Sequence, residues 1–222
     1  RKIFDVYTHP PGLRDELVGQ LGEFPFPSFW GPRAGLPSSQ WIADSARWIE
    51  KEEEPDLNLV YLPHLDYGLQ RWGPDAPEME AEFEAIDRLV DELISFFVKR
   101  GVEIVLLSEY GISKVRKPVH LNRVFRDKGW LQIKNELGLE LLDAGASRAF
   151  AVADHQVAHV YVRDDSIRNE VRGVLEATEG VAEVRESCFG DGIGGRRAGD
   201  FIAVSSPESW FTYYYWMDDM VA

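Results

Sequence analysis

Asp66 and Glu109 are the residues of this 222-residue sequence whose type and placement first suggest chemistry. Asp66 lies just past the apolar run LNLVYL (57–62), and Glu109 closes the second apolar run, VEIVLL (102–107), in LLSEY. Ligands of open parallel sheets bind beyond the carboxyl ends of strands, so two carboxylates there can converge on one metal ion or one substrate. The alternative is a pair of solvated acids at strand ends. His64 is either a metal ligand or phosphate donor on the same loop as Asp66, or a loop histidine held by backbone partners. His155 and His159, in ADHQVAHVYV with Asp154 beside them, form a conceivable Asp/His/His metal cluster. Their apolar flanks favour a sheet carrying two polar positions. His9 and His120 read as structural. GDGIGGRRAG (190–199) lacks the Gly-Lys-Ser/Thr ending of a phosphate loop and reads as a hairpin link, from which Arg196 and Arg197 can reach an anion if the loop folds over a site. G-x-S-x-G is absent and Ser108 has no nucleophile elbow around it, which sets a serine hydrolase aside.

The elements that must position these residues follow from periodicity. KIFDVYT (2–8) reads as a strand, 13–21 as a short helix, and 24–37, mixing Pro, Gly and aromatics, as an ordered loop. Ser38 or Ser39 caps a helix with Trp41, Ile42, Ser45, Trp48 and Ile49 on one face. The runs 57–62 and 102–107 have the continuous apolar look of strands buried on both faces of a parallel sheet, with a polar loop after Pro63. Between them Met79, Phe83, Ile86, Val90, Leu93 and Phe97 mark an amphipathic helix of about six turns, closed by Gly101, which predicts a right-handed βαβ unit. Beyond Pro118 the pattern becomes α+β: helices near 121–128 and 166–178, and short strands near 130–133, 149–153, 157–162, 181–185, 201–204 and 210–216. WFTYYYW (210–216) is either a strand buried on both sides or an aromatic platform for a ring.

Composition narrows the partners. The net charge of -14 opposes binding to a nucleic acid polymer, while a small phosphorylated substrate stays compatible, because a bound cation can invert the local field. Cys188 is the only cysteine, so there is no internal disulfide and no thiolate zinc cluster, which fits a cytoplasmic protein. No apolar run approaches the roughly 20 residues of a membrane span. The first residue, Arg1, and the strand-like residues after it make a fragment the expected reading.

YLPHLDYGLQRWGP (61–74) and VLLSEYGISKV (105–115), the latter followed by PVHLNRVF and both separated by the long helix, carry a further signal. They resemble the D-x-x-x-H-x-x-G-P and S-D-H-G-M segments of the type I phosphodiesterase/nucleotide pyrophosphatase family of the alkaline phosphatase superfamily. The resemblance covers most of 57–131 and, more loosely, RAGDFIAV and SWFTYYYW. It implies an α/β fold, part of a three-layer alkaline-phosphatase-like sheet, with a small inserted α+β lobe at about 118–185 of a single domain. It also implies two divalent metal ions, each held by an Asp and a His of one segment. Asp66 matches that pattern, whereas Gln70 replaces His, Glu109 replaces Asp and Tyr110 replaces His. An amide oxygen suits Mg or Ca better than Zn, and a phenol binds a metal only if its pKa falls far below about 10. The metals open to such a set are Zn, Mn, Mg or Ca.

The resemblance further implies a threonine or serine nucleophile and another Asp ligand upstream, and a last histidine downstream of the aromatic strand; none is assigned here. The implied function is metal-dependent hydrolysis of phosphodiester, nucleotide pyrophosphate or phosphomonoester bonds, with this chain inactive by itself. The competing reading is a catalytically silent scaffold that binds a ligand or partner.

Overall fold

The structure, a computed structural model, describes residues 4–187 and 197–218, which fall into two compact units, Arg1–Lys114 and Val115–Ala222. In the first unit, helix α1 (Leu13–Leu21) leads into the aromatic loop. Two short 3-10 turns, Phe26–Ser28 and Gly31–Arg33, order that loop. Phe24 packs edge-on against Phe26, Phe29 and Trp41, with ring centroids 4.9, 5.3 and 5.2 Å apart, and the Trp41 indole N–H donates to the Gly22 carbonyl at 3.0 Å. The strand expected at 2–8 is not formed over its described residues 4–8.

Helix α2 (Leu36–Glu52) starts at Gly35 with Pro37 in its first turn, so Ser38 and Ser39 lie inside the helix and do not cap it. Its buried line is also not the expected Trp41/Trp48 stripe. Ala43, Ala46 and Glu50 are buried, because small side chains let the long helix α4 (Glu78–Lys99) approach closely and pack Leu89, Leu93 and Phe97 against them. Glu50 is compensated by Arg100, whose Nε lies 3.2 Å from Oε1 and whose Nη2 donates to the Glu50 carbonyl.

The largest departure from expectation concerns 57–62 and 102–107. Neither joins a ladder among the described residues, and each is covered on one face only. Val60, Leu62, Val102 and Ile104 pack on the α2–α4 core. The alternate residues face water: Leu59 is 85% and Val105 81% exposed, with Leu57, Tyr61 and Leu107 also exposed. Period-two alternation makes a strand-like segment present two faces, and a ladder needs a neighbour, which the described residues do not supply. The polar loop expected after Pro63 is a helix, α3 (His64–Trp72). Gly68 brings it onto α4: a Cβ there would sit 3.1 Å from the sulfur of fully buried Met79.

The second unit is α+β. It holds strand β1 (Lys117–Val119), helix α5 (Leu121–Asp127) and the hairpin β2 (Ile133–Glu136) with β3 (Leu139–Leu142). Strands β4 (Ala149–Asp154), β5 (Val157–Val162), β6 (Val181–Glu186) and β7 (Phe201–Ser205) form an antiparallel sheet ordered β4-β5-β7-β6, and helix α6 (Arg168–Ala177) precedes β6. Ala149, Ala151, Ala153, Ala158, Val160 and Ala203 line its buried face in one core with Leu121 and Phe125 of α5 and Val171 and Leu175 of α6. The strand expected over 210–216 is only β8 (Ser209–Phe211), parallel to β1. The aromatics after it form no ladder, and Tyr213 is exposed, so they are not a strand buried on both sides. Side chains of α5 and its preceding residue hold them: Arg123 donates to the Trp216 carbonyl at 2.8 Å, Arg126 to the Tyr215 carbonyl at 3.0 Å, and His120 stacks on Tyr214. Most of the Gly-rich link, with Cys188 and Arg196, lies outside the described residues.

Asn122 closes the β4 edge of the sheet. Buried on α5, it donates to the Ala151 carbonyl at 2.8 Å and accepts from the Ala151 N–H at 2.7 Å, as a neighbouring strand would. Asn122→Ala strands both backbone groups, so urea unfolding should show a loss of about 2–4 kcal/mol, whereas loss of an ordinary exposed hydrogen bond would cost about 1 kcal/mol or less.

Candidate functional site

Helix α3 turns a stretch of sequence into a site. Asp66 falls in its first turn, where the free backbone N–H groups and the helix dipole favour a carboxylate. Gln70 follows one turn later on the same face, the arrangement that lets residues four apart address one ligand. The second motif segment meets this face directly, since the Tyr110 hydroxyl donates to Asp66 Oδ1 at 3.0 Å across 44 residues of sequence. The Ser108 hydroxyl bonds the Tyr110 carbonyl at 2.7 Å and fixes the turn that carries the ring. Glu109, at the same turn, is exposed.

Tyr61, at the end of the preceding apolar run, also acts on the Tyr110 phenol and helps to keep it protonated. It was missed as a site residue because it belongs to an apolar run. The available signal was its outward parity with Leu57 and Leu59, opposite Val60 and Leu62, at the carboxyl end of that run. Tyr110 is 51% exposed as a residue, yet its phenol is held well above the usual tyrosine range. Loss of water around the hydroxyl is the first cause, followed by the bond to Asp66 and the influence of Tyr61. A phenol so held stays protonated and acts as a donor to Asp66.

His64 is not on a loop with Asp66. It is the first residue of α3 and is buried, with Nε2 2.6 Å from Glu82 Oε2 on α4. That contact is short but misaligned, and neither ring nitrogen has a well-formed hydrogen bond among the described residues. It pins the start of α3 to α4. His155 and His159 do not come together as a cluster. His155 occupies the β4–β5 turn with φ 53° and points into solvent 4.0 Å from Asp154, while His159 sits within β5 and accepts from the Gly199 N–H at 3.2 Å. Four residues span a hairpin turn here and not one turn of helix. Arg197 is described, and its carbonyl accepts from Tyr161.

Among the described residues no three His, Cys, Asp or Glu side chains converge as a metal cage. Asp66, Gln70 and Tyr110, with Glu109 exposed on the same turn as Tyr110, include no imidazole and no thiolate, so the set does not fit a zinc pair.

The comparisons with known proteins bear on family and fold. A family model described as type I phosphodiesterase / nucleotide pyrophosphatase matches residues 2–222. An uncharacterized pyrophosphatase/phosphodiesterase of Schizosaccharomyces pombe is 32% identical over 72 residues, covering 30% of this chain and 15% of that protein. Among solved structures, phosphonoacetate hydrolase from Sinorhizobium meliloti 1021, in complex with phosphonoacetate, superposes with a TM-score of 0.55 at 19% identity, over 80% of this chain and 43% of the other. Murine ectonucleotide pyrophosphatase / phosphodiesterase 5, an inactive variant in complex with AMP, gives a TM-score of 0.53 at 16% identity, over 79% and 45%. The fold is therefore alkaline-phosphatase-like, and the chain spans less than half the length of these solved relatives.

The Tyr110 bond predicts a titration. In an ultraviolet titration of the chain's eight tyrosines, one phenol should ionise later than the rest, and Tyr110→Phe should remove that late step. Because its folded pKa is raised, the stability contributed is present below the unfolded value of about 10 and disappears as pH rises through the folded value.

Proposed function

Because the chain belongs to the type I phosphodiesterase/nucleotide pyrophosphatase family, we propose that it carries part of the active site of a metal-dependent hydrolase of phosphodiester, nucleotide pyrophosphate or phosphomonoester bonds. The observation that carries this reading is the Tyr110–Asp66 bond, which brings the two segments resembling the family's ligand motifs to one point. Asp66 is the anchoring carboxylate, Gln70 a neutral oxygen donor one turn on, and Glu109 a second negative charge on the neighbouring turn. A divalent ion bound by them would neutralise phosphoryl oxygens and polarise phosphorus toward attack. The hydroxyl nucleophile comes, in this reading, from polypeptide outside this sequence. The exposed apolar faces of 57–62 and 102–107, which lack ladder partners among the described residues, are suited to receive the strands that would bring it.

The substrate class we infer is small. A chain of net charge -14 repels an extended phosphate backbone, whereas one phosphoryl group needs only a local cation. A second reading, a silent scaffold that binds without turnover, is favoured by one specific observation: Tyr110 satisfies Asp66 with a proton where the family pattern has a metal-binding histidine.

The test is hydrolysis of bis(p-nitrophenyl) phosphate by the full-length protein with Mn, Mg or Zn. Metal-dependent turnover reduced at least about a hundredfold in both Asp66→Asn and Glu109→Gln is the expected result, in line with loss of charged groups that hold the metal. No turnover with any ion would replace this reading with the silent scaffold.

A further inference from the structure

The hairpin of β2 and β3 is a two-stranded sheet of its own, and its tip goes against the preferences of its turn. Leu137 and Gly138 form a two-residue connection with φ of 54° and 83°, the signature of a type I′ turn, which favours asparagine or glycine at its first position. A leucine held in the left-handed region is strained, and this one is also fully exposed. Leu139 and Leu141 are exposed too, on the same face as Lys134 and Glu136, while Ile133 and Leu142 on the opposite face pack on the core of the second unit. Three leucines placed in this way serve neither folding nor solubility, and they suit a contact surface.

The two edges of the hairpin differ. A two-residue turn makes Glu136 and Leu139 a hydrogen-bonded pair, so by alternation Asn135 and Glu140 turn their backbone groups outward, away from each other. On β3 the Glu140 carbonyl accepts from the Tyr215 hydroxyl at 3.2 Å, and the Glu140 carboxylate is held by Arg126. On β2 no backbone bond reaches Asn135 from outside the hairpin among the described residues. This free edge reads Lys134, Asn135, Glu136, which is its own complement in an antiparallel register. With Asn135 on a two-fold axis, Lys134 stands opposite the partner's Glu136, and Glu136 opposite the partner's Lys134. Those are then the non-hydrogen-bonded pairs, in which side chains come closest.

We propose that β2 is a self-association edge, which pairs antiparallel with β2 of a second copy of this chain about a two-fold axis at Asn135. Such an interface is isologous: one patch meets itself. The pairing gives the Asn135 N–H and carbonyl their partners and joins two hairpins into a four-stranded sheet. Across one face of that sheet it lines up Leu141, Lys134, the partner's Glu136 and the partner's Leu139. It also sets Leu137 opposite the partner's Ile133, so the strained tip gains an apolar neighbour. Lys134, 2.7 Å from Glu136 of its own strand, exchanges that contact for one across the axis. Two short strands cover less than the roughly 1,200 Å² of a stable interface, so the association is weak, with a Kd of about 10–100 µM. It uses no residue of α3 or of the Ser108–Tyr110 turn and stands apart from the hydrolase reading.

Sedimentation equilibrium of the full-length protein between about 1 and 500 µM tests this, and the wild type should pass from monomer to dimer over that range. Glu136→Lys and Lys134→Glu each set like charges opposite one another twice and should each weaken the dimer at least about tenfold. An equimolar mixture of the two variants should regain dimer at close to the wild-type affinity, because every charge beside the axis then faces its opposite. Leu137→Asn should weaken the dimer about fivefold or more with a melting temperature equal to or above that of the wild type, since asparagine suits the turn.

A protein that stays monomeric throughout overturns the proposal and leaves the β2 edge to a strand of another protein. A dimer that ignores all three substitutions overturns it as well and assigns association to another surface. Charge variants that weaken the dimer but do not recover it on mixing overturn the two-fold register at Asn135.

Discussion

The packing of one face of two segments, 57–62 and 102–107, onto helix α4 governs the first unit. Val60 and Leu62 from 57–62, and Val102 and Ile104 from 102–107, share the apolar surface that Leu89, Leu93 and Phe97 present on the inner side of α4. Burying an aliphatic side chain contributes about 1.5–3 kcal/mol when complete, and these four partly buried side chains are what tie both segments to the helix. A shared core fixes where both segments end, and their ends carry the chemistry. The first runs into Pro63 and the start of α3, and the second into the Ser108–Tyr110 turn. Asp66 and Tyr110 meet because the apolar side chains before them are seated on one helix.

Helix α3 then converts position into direction. Gly68 allows it to lie against Met79, and buried His64 at its first residue lies against Glu82 on α4, so the helix meets α4 at both its middle and its start. With the axis fixed, the first-turn carboxylate of Asp66 has little freedom except rotation of its own side chain, and the Tyr110 hydroxyl limits that. The helix N-terminus and the Tyr110 hydroxyl both turn favourable dipoles toward this carboxylate.

How much of this was legible in the sequence depends on the range of the interaction. The spacing from Met79 to Phe97 announced α4, and short apolar runs announced β4, β5 and β7, because each pattern records contact with an apolar surface. The two motif segments were legible through family resemblance, and Asp66 with Tyr110 proved to be neighbours. What failed was every inference that needed a partner. LNLVYL and VEIVLL read as strands covered on both faces, but their second face and their hydrogen-bonding edges have no occupant among the described residues. The Trp41/Trp48 stripe read as buried because large apolar residues usually are, yet α2 buries its alanines where α4 comes close. The aromatic run after Phe211 reads as a strand by alternation, and only the arginines of α5, 89 and 93 residues away in sequence, hold it in another form. Tyr61 was hidden for the opposite reason, as a polar atom on a residue counted for its apolar ring.

The two units treat unpaired backbone in opposite ways, and the contrast bears on function. In the second unit the exposed edge of β4 is sealed by a buried asparagine that imitates a strand, and the sheet ends there by design of its own side chains. In the first unit, 57–62 and 102–107 carry no such seal. They have no proline or lysine set among the exposed apolar residues, and their open faces present Leu57, Leu59, Val105 and Leu107 to water. A free surface of that kind is an aggregation hazard, and natural sheets blunt it with charge, proline or a covering element. Sequence selection that sealed one edge with Asn122 and left the other apolar is consistent with a covered state for the latter. In the hydrolase reading the cover is a strand laid along these segments, which would also bring new residues to the ends where Asp66 and Tyr110 already stand.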